Sequence, residues 1–246
     1  MRAVLTVAAL VIAARPAAAD PDGARVFTVP TAWLLPAGAA GATLGIDHRG
    51  DTTAVASFGL GMAEAEIDQD TDIRGCTDCA MRPLPLRLGR AAFRLGVRQD
   101  AWLPGMPALV LGVRATFAAY DPAVPDPRAS DAYAVASRDL GIVRLHAGVD
   151  ALSASVAGRR AAARLRPLAA LEVHPPMYPR SSLLGDLAWE PNLDAVHGAS
   201  LGWLLGVGVR YQAFAWAQIE LAVRARQGED LGAATVMVRV NAFTRP

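Results

Sequence analysis

SLGWLLGVGVRY, residues 200–211, is followed by FAWAQIELAVR, residues 214–224, and side chains of two kinds alternate along both stretches. One parity of the first stretch is entirely apolar or aromatic, with Leu201, Trp203, Leu205, Val207, Val209 and Tyr211. In the second stretch, Ile219, Leu221 and Val223 alternate with Gln218, Glu220, Ala222 and Arg224. A period of two over ten or more residues is typical of a β-strand with one apolar and one polar face.

These strands are longer than the roughly five or six residues usual in globular sheets. They match the roughly 9–11 tilted residues that cross a bilayer. The same alternation predicts about twelve strands, at residues 24–35, 41–48, 53–67, 87–98, 108–119, 132–138, 141–150, 165–174, 183–190, 200–211, 214–225 and 232–243. We therefore predict an all-β fold, a single antiparallel transmembrane β-barrel of about 12 strands within residues 20–246.

Composition favours a barrel that faces lipid. Hydrophobic residues make up 53% of the chain, yet no uninterrupted apolar run of about 18 residues follows the N-terminal region. Arg114 and Arg210 interrupt the two most apolar stretches. A barrel wall needs an apolar side chain only at every second position, so it explains both the high hydrophobic content and the lack of a long apolar run. A soluble periplasmic β-barrel binding protein or a β-sandwich is the alternative.

The N-terminus predicts export. A positive start, an apolar stretch over residues 3–14 and small residues 17–19 form a signal peptide over residues 1–19, with cleavage after Ala19. We therefore expect the chain in the outer membrane of a Gram-negative bacterium. All 24 basic residues are arginine, and losing Arg2 and Arg15 leaves 22 of them against 23 acidic residues, a net charge of −1. Such near-neutrality argues against nucleic acid as a partner.

Connection lengths predict the orientation. If the N- and C-termini of the barrel both lie in the periplasm, the connections on the periplasmic, lower side are residues 48–52, 99–107, 138–140, 175–182 and 212–213. The upper ones include residues 68–86, 121–131, 151–164 and 191–199, together with a short turn at 36–38. Long connections would then lie mainly on the outer side, as in outer-membrane barrels.

The polar parity of the strands supplies candidate lumen-lining residues. These are Arg90, Arg94, Arg98, Arg114, Arg144, Arg210, Glu172 and Glu220. Arg166, Asp186, Glu190 and Arg224 share that parity. About twelve strands enclose a lumen that charged side chains can largely fill. We therefore expect a plug-like network of arginine–carboxylate pairs, and a narrow anion-preferring diffusion pore is the alternative.

Cys76 and Cys79 are the only cysteines. In an exported protein we expect a disulfide between them, and a redox pair or a metal site is the alternative. Each of the four histidines lacks a serine two residues further on, which is where outer-membrane phospholipases and lipid-A deacylases place one. The corresponding residues are Gly50, Gly148, Pro176 and Ala199. We therefore expect no enzymatic activity, no catalytic residues, no cofactor and no metal.

Two short motifs resemble those of a known family. Residues 29–38, VPTAWLLPAG, look like the opening of YjbH-type outer-membrane proteins, and residues 133–138, YAVASR, resemble a strand motif of that family. YjbH-type proteins are usually much longer. The resemblance implies a role connected with exopolysaccharide production or envelope assembly, and it supplies no catalytic residues.

Together these observations predict an outer-membrane β-barrel with a structural or transport role in the envelope, and the resemblance implies a link to exopolysaccharide production or export. Expected partners are outer-membrane lipid, the barrel-assembly machinery and an envelope polysaccharide.

Overall fold

The computed structural model describes residues 25–74, 85–119, 126–194 and 197–244, and its strands close into one barrel. The strands are β1 Ala40–Asp47, β2 Thr52–Gly59, β3 Ala63–Arg74, β4 Pro85–Val97, β5 Ala108–Ala119, β6 Arg128–Asp139, β7 Val143–Val156, β8 Arg159–Val173, β9 Ser181–Asp194, β10 Gly198–Phe214, β11 Ala217–Arg226 and β12 Thr235–Phe243. Each strand pairs antiparallel with its sequence neighbours, and β1 closes the ring on β12. The prediction of a 12-stranded antiparallel barrel is confirmed. A 3-10 turn, Leu231–Ala233, precedes β12.

The outer face of the barrel is apolar on every strand. Leu205 and Val207 are 42% and 57% exposed and point away from the lumen. Exposed large apolar side chains continue this band around the wall, including Leu44, Phe58, Ile67, Phe93, Val113, Leu145, Leu171, Leu187, Ile219 and Val238. The opposite parity carries buried charge together with a buried apolar cluster. A soluble barrel would not expose large apolar side chains around its whole outer face, so this exterior is typical of a barrel that faces lipid.

Two of the twelve predicted strands were wrong. The total still agrees, because one of them is two strands and the other is no strand of the wall. Residues 53–67 form the two strands β2 and β3, because Leu60–Met62 makes a tight turn. Gly61 adopts a φ of +90° there, and the Leu60 N–H donates to the Ala63 carbonyl at 2.8 Å. Residues 24–35 contribute no strand to the wall; the described part of this segment, residues 25–35, lies inside the barrel.

The β2–β3 hairpin, which was not predicted, also changes which connections lie at the same end of the barrel. The start of β1 and the end of β12 lie at one end, called the lower end, with turns 60–62, 98–107, 140–142, 174–180 and 215–216. Residues 48–51 are at the opposite, upper end, not at the lower end as predicted. Residues 36–38 are at the lower end, where the Gly38 N–H donates to the Gly59 carbonyl at 2.9 Å.

The upper end is built from long strands more than from long loops. The predicted loop at 151–164 is mostly strand, because β7 and β8 continue to a two-residue turn at Ala157–Gly158, both with positive φ. Such a turn matches the twist of the flanking strands. The predicted loop at 191–199 is mostly the tip of β9 and β10. Strands β7 to β10, of 14 to 17 residues, are longer than the roughly 9–11 residues that cross a bilayer.

The described residues contain no helix that is long and apolar enough to cross a membrane. Residues 1–19, with the predicted signal peptide, and the cysteines Cys76 and Cys79 lie outside the described residues, so these predictions stay predictions.

Candidate functional site

The lumen contains a part of the chain itself, residues 25–35, which we call the luminal segment. It enters at the lower end beside Gly59, where a Cβ atom would lie 2.1 Å from the Pro36 carbonyl oxygen. The absence of a side chain at Gly59 therefore lets the segment pass. Its tip is a narrow reversal in which the Val26 N–H donates to the Val29 carbonyl at 3.0 Å. Val26 and Val29 have no exposed surface.

One carboxylate on the wall holds the tip of the luminal segment. The backbone N–H groups of Phe27, Thr28 and Val29 donate to Asp186 Oδ2 at 3.2, 2.6 and 3.0 Å. Consecutive N–H groups that converge in this way form an anion-binding concavity. Hydrogen bonds to a charged acceptor are stronger than neutral ones. Asp186 on β9 thus anchors a stretch of backbone that has no strand partner in the wall.

Arginines of the wall bind the carbonyl groups of the same tip. Arg239 on β12 donates to the Phe27 carbonyl at 2.7 Å and to the Val26 carbonyl at 2.5 Å. Arg210 on β10 donates to the Arg25 carbonyl at 3.2 Å. The tip therefore has its donors bound to a carboxylate and its acceptors bound to guanidinium groups, as buried backbone requires.

The rest of the luminal segment is fixed to the opposite wall. Arg25 pairs with Glu66 on β3 at 2.5 Å. Nearer the lower end, the Ala32 N–H donates to Ser137 Oγ at 2.8 Å, and the Leu35 N–H donates to Glu64 Oε2 at 2.8 Å. Contacts to β3, β6, β9, β10 and β12 thus surround the segment on all sides of the lumen.

Seven of the eight candidate lumen-lining residues point into the barrel. Arg90, Arg94, Arg144, Arg210, Glu172 and Glu220 are buried, and the side chain of Arg114 is 14% exposed. Arg98 lies beyond the last residue of β4, at the lower end, and is partly exposed. Of these three arginines, spaced four residues apart, Arg90 and Arg94 thus lie inside the barrel and Arg98 lies beyond the strand.

Most luminal arginines pair with a carboxylate directly opposite on the next strand. Glu64 is in register with Arg94, Asp68 with Arg90, and Asp131 with Arg114. Arg94 and Glu64 form an ion pair with no solvent exposure, and Arg90 Nε lies 2.8 Å from Asp68 Oδ1. Opposite charges on facing positions stabilise the pairing of strands.

A second group of ion pairs joins β8, β10, β11 and β12. Glu220 lies between Arg210 at 2.8 Å and Arg239 at 2.5 Å, and Arg210 also reaches Glu172 at 3.2 Å. Asn241 donates to Glu220 at 2.8 Å. Since Arg210 and Arg239 also hold the luminal segment, wall and segment belong to one network.

The sequence reasoning missed five residues of this network: Glu64, Glu66, Asp68, Asp131 and Arg239. The first three were missed because residues 53–67 were interpreted as one strand, which placed Glu64 and Glu66 on the apolar parity. That conflict of parity, together with Gly59 and Gly61, is the signal that could have revealed the turn.

A hydroxyl–imidazole–carboxylate arrangement lies at the lower end of the lumen. Ser137 on β6 is in register with His146 on β7, and Ser137 Oγ is 2.7 Å from His146 Nδ1. His146 Nε2 is 3.3 Å from Glu172 Oε1 on β8. On the other side of Glu172, His174 contacts Ser182 at 3.0 Å. The search for a serine two residues after a histidine could not find these pairs, because their members lie nine and eight residues apart in the chain.

These residue types can perform nucleophilic catalysis in other settings. Here, however, Ser137 Oγ already accepts the Ala32 N–H, and the residue is only 1% exposed. Trp33 covers His146, with an edge-to-face ring separation of 6.4 Å. With the luminal segment in place, an acyl substrate has no space next to Ser137.

The tip of the β9–β10 hairpin closes the upper end of the lumen. The β8–β9 ladder ends at Ala169 and Leu187, and the β10–β11 ladder begins only at Leu204. Beyond these points the β9–β10 hairpin is paired with neither β8 nor β11. Leu193 at its tip belongs to one buried apolar cluster with Leu88 of β4 and Val156 of β7, and β9 also contacts β3, so the tip crosses the mouth.

Between this tip and the luminal segment remains a cavity of about 60 Å³. Its charged lining residues are Arg25, Asp68, Arg90, Arg114, Glu190, Arg224 and Arg239. A water molecule needs roughly 10–15 Å³ of such space, so the cavity has room for only a few water molecules. The described part of the lumen is thus filled by protein at both ends.

Comparisons with known proteins give the fold class and no family. No family model matches the sequence, and no curated protein matches it. Among solved structures, the NanC porin has a TM-score of 0.51 at 10% identity, covering 84% of this chain and all of the porin chain. A structure from a study of in-meso crystallization of membrane proteins also has a TM-score of 0.51, at 8% identity, covering 84% of this chain and 83% of that one.

OmpT, an outer membrane protein of Vibrio cholerae with loop L8 deleted, has a TM-score of 0.44 at 11% identity. The match covers 78% of this chain and spans 63% of that OmpT chain. The likeness to the NanC porin agrees with the closed antiparallel wall. The chain has the fold of an outer-membrane β-barrel.

Proposed function

We propose that this protein is an outer-membrane β-barrel with a structural or transport role in the envelope, and that its own luminal segment keeps the lumen closed. The observation that carries the proposal is the binding of the tip, with three N–H groups on Asp186 and two carbonyl groups on Arg239. A loosely inserted segment would not have both its donors and its acceptors bound by the wall.

The charge balance of the lumen supports a plug in preference to an anion-selective pore. Anion selectivity requires guanidinium groups that are available to passing ions. Here Arg90, Arg94, Arg114, Arg210 and Arg239 each pair with a carboxylate. The apolar exterior, in turn, supports an outer-membrane location over a soluble periplasmic binding protein.

The upper end would face the cell exterior in this proposal, because the long hairpins β7–β8 and β9–β10 have their tips there. We further propose that the protein takes part in exopolysaccharide production or export. Support for this comes from the resemblance of residues 29–38 and 133–138 to YjbH-type proteins. We also propose that the protein has no enzymatic activity, since the luminal segment occupies the space beside Ser137.

Conductance across planar bilayers tests the closed lumen. The purified full-length protein should give no open-channel steps, whereas a variant lacking residues 25–35 should give them. A matched control is Arg180→Gln, an exposed arginine at the lower end that contacts no luminal residue in the described structure. Steady open-channel steps from the full-length protein would contradict the proposal and support the pore.

Sedimentation tests the location independently of conductance. Membranes separated on a sucrose gradient should place the protein in the outer-membrane fraction. Recovery of the protein in the soluble periplasmic fraction would contradict the location, whatever the conductance shows.

A further inference from the structure

The cavity between the tip of the β9–β10 hairpin and the luminal segment faces mainly guanidinium groups. Its described lining includes two carboxylates, Asp68 and Glu190. The arginines in the same lining are Arg25 of the luminal segment and Arg90, Arg114, Arg224 and Arg239 of the wall. The described lining thus has five positive charges against two negative ones.

The carboxylates that pair with Arg25 and Arg114 lie behind these arginines. Arg25 is paired with Glu66 at 2.5 Å, and Arg114 is paired with Asp131. Neither Glu66 nor Asp131 lines the cavity. The side chains of both arginines are 14% exposed, whereas those of Glu66 and Asp131 are 1% and 4% exposed. The accessible surface of each ion pair is therefore mostly that of its guanidinium group.

Arg25 and Arg114 also have N–H groups left for a ligand. A guanidinium group has five N–H donors. Arg25 donates Nη2 to Glu66, and Arg114 donates Nε and Nη2 to Asp131. Among the described residues, no acceptor takes a hydrogen bond from Arg25 Nε, Arg25 Nη1 or Arg114 Nη1. Arg114 Nη1 is 3.7 Å from Asp68 Oδ2, which is too far for a hydrogen bond.

The two carboxylates in the lining do not cancel this excess, because each has its own arginine there. Asp68 Oδ1 is 2.8 Å from Arg90 Nε, and Glu190 Oε1 is 3.0 Å from Arg224 Nη2. The charge that remains for a ligand is that of Arg25 and Arg114.

The size of the cavity selects a small anion. Its volume is about 60 Å³. At roughly 10–15 Å³ for each water-sized group, about four oxygen atoms fit, as many as a tetrahedral oxyanion has. Guanidinium groups bind such oxyanions through charge-assisted hydrogen bonds. The phosphate group of a lipid or a sugar would bring a larger molecule, for which this cavity has no room.

We propose that the cavity binds an inorganic tetrahedral oxyanion, phosphate or sulfate, between Arg25 and Arg114. Arg25 belongs to the luminal segment and Arg114 to β5, so the anion joins the segment to the wall. The inference rests on the closed lumen proposed above and deepens it, because the bound anion stabilises the closed form.

Trypsin cleavage after Arg25 reports this stabilisation, because the luminal segment must leave the lumen before the protease can reach it. A ligand that binds only the closed form lowers the population of the open form by mass action. At a phosphate concentration about ten times its dissociation constant, cleavage should be about tenfold slower.

The experiment uses the full-length protein refolded in detergent with sodium phosphate, sodium sulfate or sodium chloride at equal ionic strength. Phosphate and sulfate should slow the cleavage, and chloride should not. Isothermal titration calorimetry with sodium phosphate measures the binding directly and should give a single site per chain.

The variant R114Q/D131N replaces one ion pair of the site by two amides, so no buried charge loses its partner. It should bind phosphate at least about tenfold more weakly, because a charged donor to the anion is lost. R25Q/E66Q replaces the other pair and should weaken binding in calorimetry by a similar factor. It also provides the test if R114Q/D131N does not fold, and heat-modifiable gel mobility shows which variants are folded.

The control R144Q/D139N replaces an ion pair at the lower end, where Arg144 Nε is 2.8 Å from Asp139 Oδ2. Neither residue lines the cavity, so this variant should bind phosphate as the wild type does. The proposal is overturned if the wild type binds no phosphate, if chloride slows cleavage as much as phosphate, or if the control loses as much affinity as R114Q/D131N.

The anion site and the closed lumen fail in different ways. If the wild-type protein gives no open-channel steps and binds no phosphate, the site is wrong and the closed lumen stands. If steady open-channel steps appear in planar bilayers, the closed lumen is wrong, and phosphate binding then cannot stabilise it.

Discussion

At the scale of single residues, Asp186 has the largest consequence for the closed lumen. Its carboxylate accepts three backbone N–H groups of the luminal segment. Replacing it with alanine leaves those donors unpaired in a buried site, and each unpaired donor costs about 1–3 kcal/mol. We expect the Asp186→Ala variant to release the segment while the wall stays folded.

Trypsin cleavage after Arg25 measures this release, because that residue is enclosed in the wild-type lumen. Cleavage should become at least about tenfold faster in the Asp186→Ala variant, because the protease cleaves the open form. Asp126→Ala, which removes an exposed carboxylate, is the control and should leave the rate unchanged. Equal protection of Asp186→Ala and wild type would show that Asp186 does not hold the segment.

Asp100, in the connection between β4 and β5, gives a prediction about pH. A hydrogen bond from Arg138, with further ones from Gln99 and the Gly105 N–H, lowers the pKa of Asp100 below its usual 3.8. A lowered pKa in the folded state means that the carboxylate stabilises the fold above pH 3.8. That contribution disappears as the pH falls through the folded-state pKa.

An NMR titration of the Asp100 carboxyl group measures this shift. In Arg138→Gln the pKa of Asp100 should rise toward 3.8, because the hydrogen bond that lowers it most is removed. Arg128→Gln leaves this connection untouched and should not change the titration. An Asp100 pKa at or above 3.8 in the wild-type protein would contradict the prediction.

At the scale of elements, the β3–β4 pair depends on the buried ion pair of Glu64 and Arg94. Removing one partner of such a pair leaves an uncompensated buried charge and typically costs about 3–5 kcal/mol. We therefore expect Arg94→Gln to lower the free energy of unfolding by that amount. The double variant E64Q/R94Q should lose less than the sum of the two single variants.

Urea unfolding in detergent micelles, followed by tryptophan fluorescence, gives the four free energies of this double-mutant cycle. A coupling of about 1–3 kcal/mol is expected for Glu64 and Arg94. The control is the same double-mutant cycle on the exposed pair Asp126 and Arg128, for which we expect a coupling below about 1 kcal/mol. Additive losses at Glu64 and Arg94 would show that their pairing contributes nothing specific.

At the scale of the whole molecule, the apolar exterior determines the solvent in which the barrel is stable. Val113, in the middle of β5, is 56% exposed on the outer face. An arginine near the middle of the bilayer destabilises a barrel by about 2–4 kcal/mol. We expect Val113→Arg to reduce the folding free energy into lipid vesicles by this amount.

Leu103→Arg is the control, because Leu103 is 67% exposed in a lower connection outside the strands. Its effect should be within about 0.5 kcal/mol, as is usual for surface substitutions. Equal effects of the two arginines on folding into vesicles would mean that β5 does not face lipid.

Much of the wall could be predicted from the sequence because each strand carries its own information. Alternation along residues 200–211 and 214–224 reports which side chains face which solvent, and this needs no knowledge of the neighbouring strands. The inward direction of Arg94, Arg210 and Glu220 follows from the same local period. The hairpin at Gly61 was missed because residues 53–67 were interpreted as one strand, although the polar residues change parity across the three-residue turn.

The luminal segment and the charge partners depended on tertiary structure alone. Nothing in residues 25–35 distinguishes a strand of the wall from a segment inside it, because both bury apolar side chains. Closure of the ring places Asp186 of β9 next to the N–H groups of Phe27, Thr28 and Val29, whereas Ser137 meets His146 through the register of the β6–β7 pair. The sequence by itself determined the two faces of the sheet, since a period of two is a local property. The tertiary structure decided the rest, because the register of neighbouring strands selects the charge partners and the closed ring surrounds the luminal segment with groups distant in the chain.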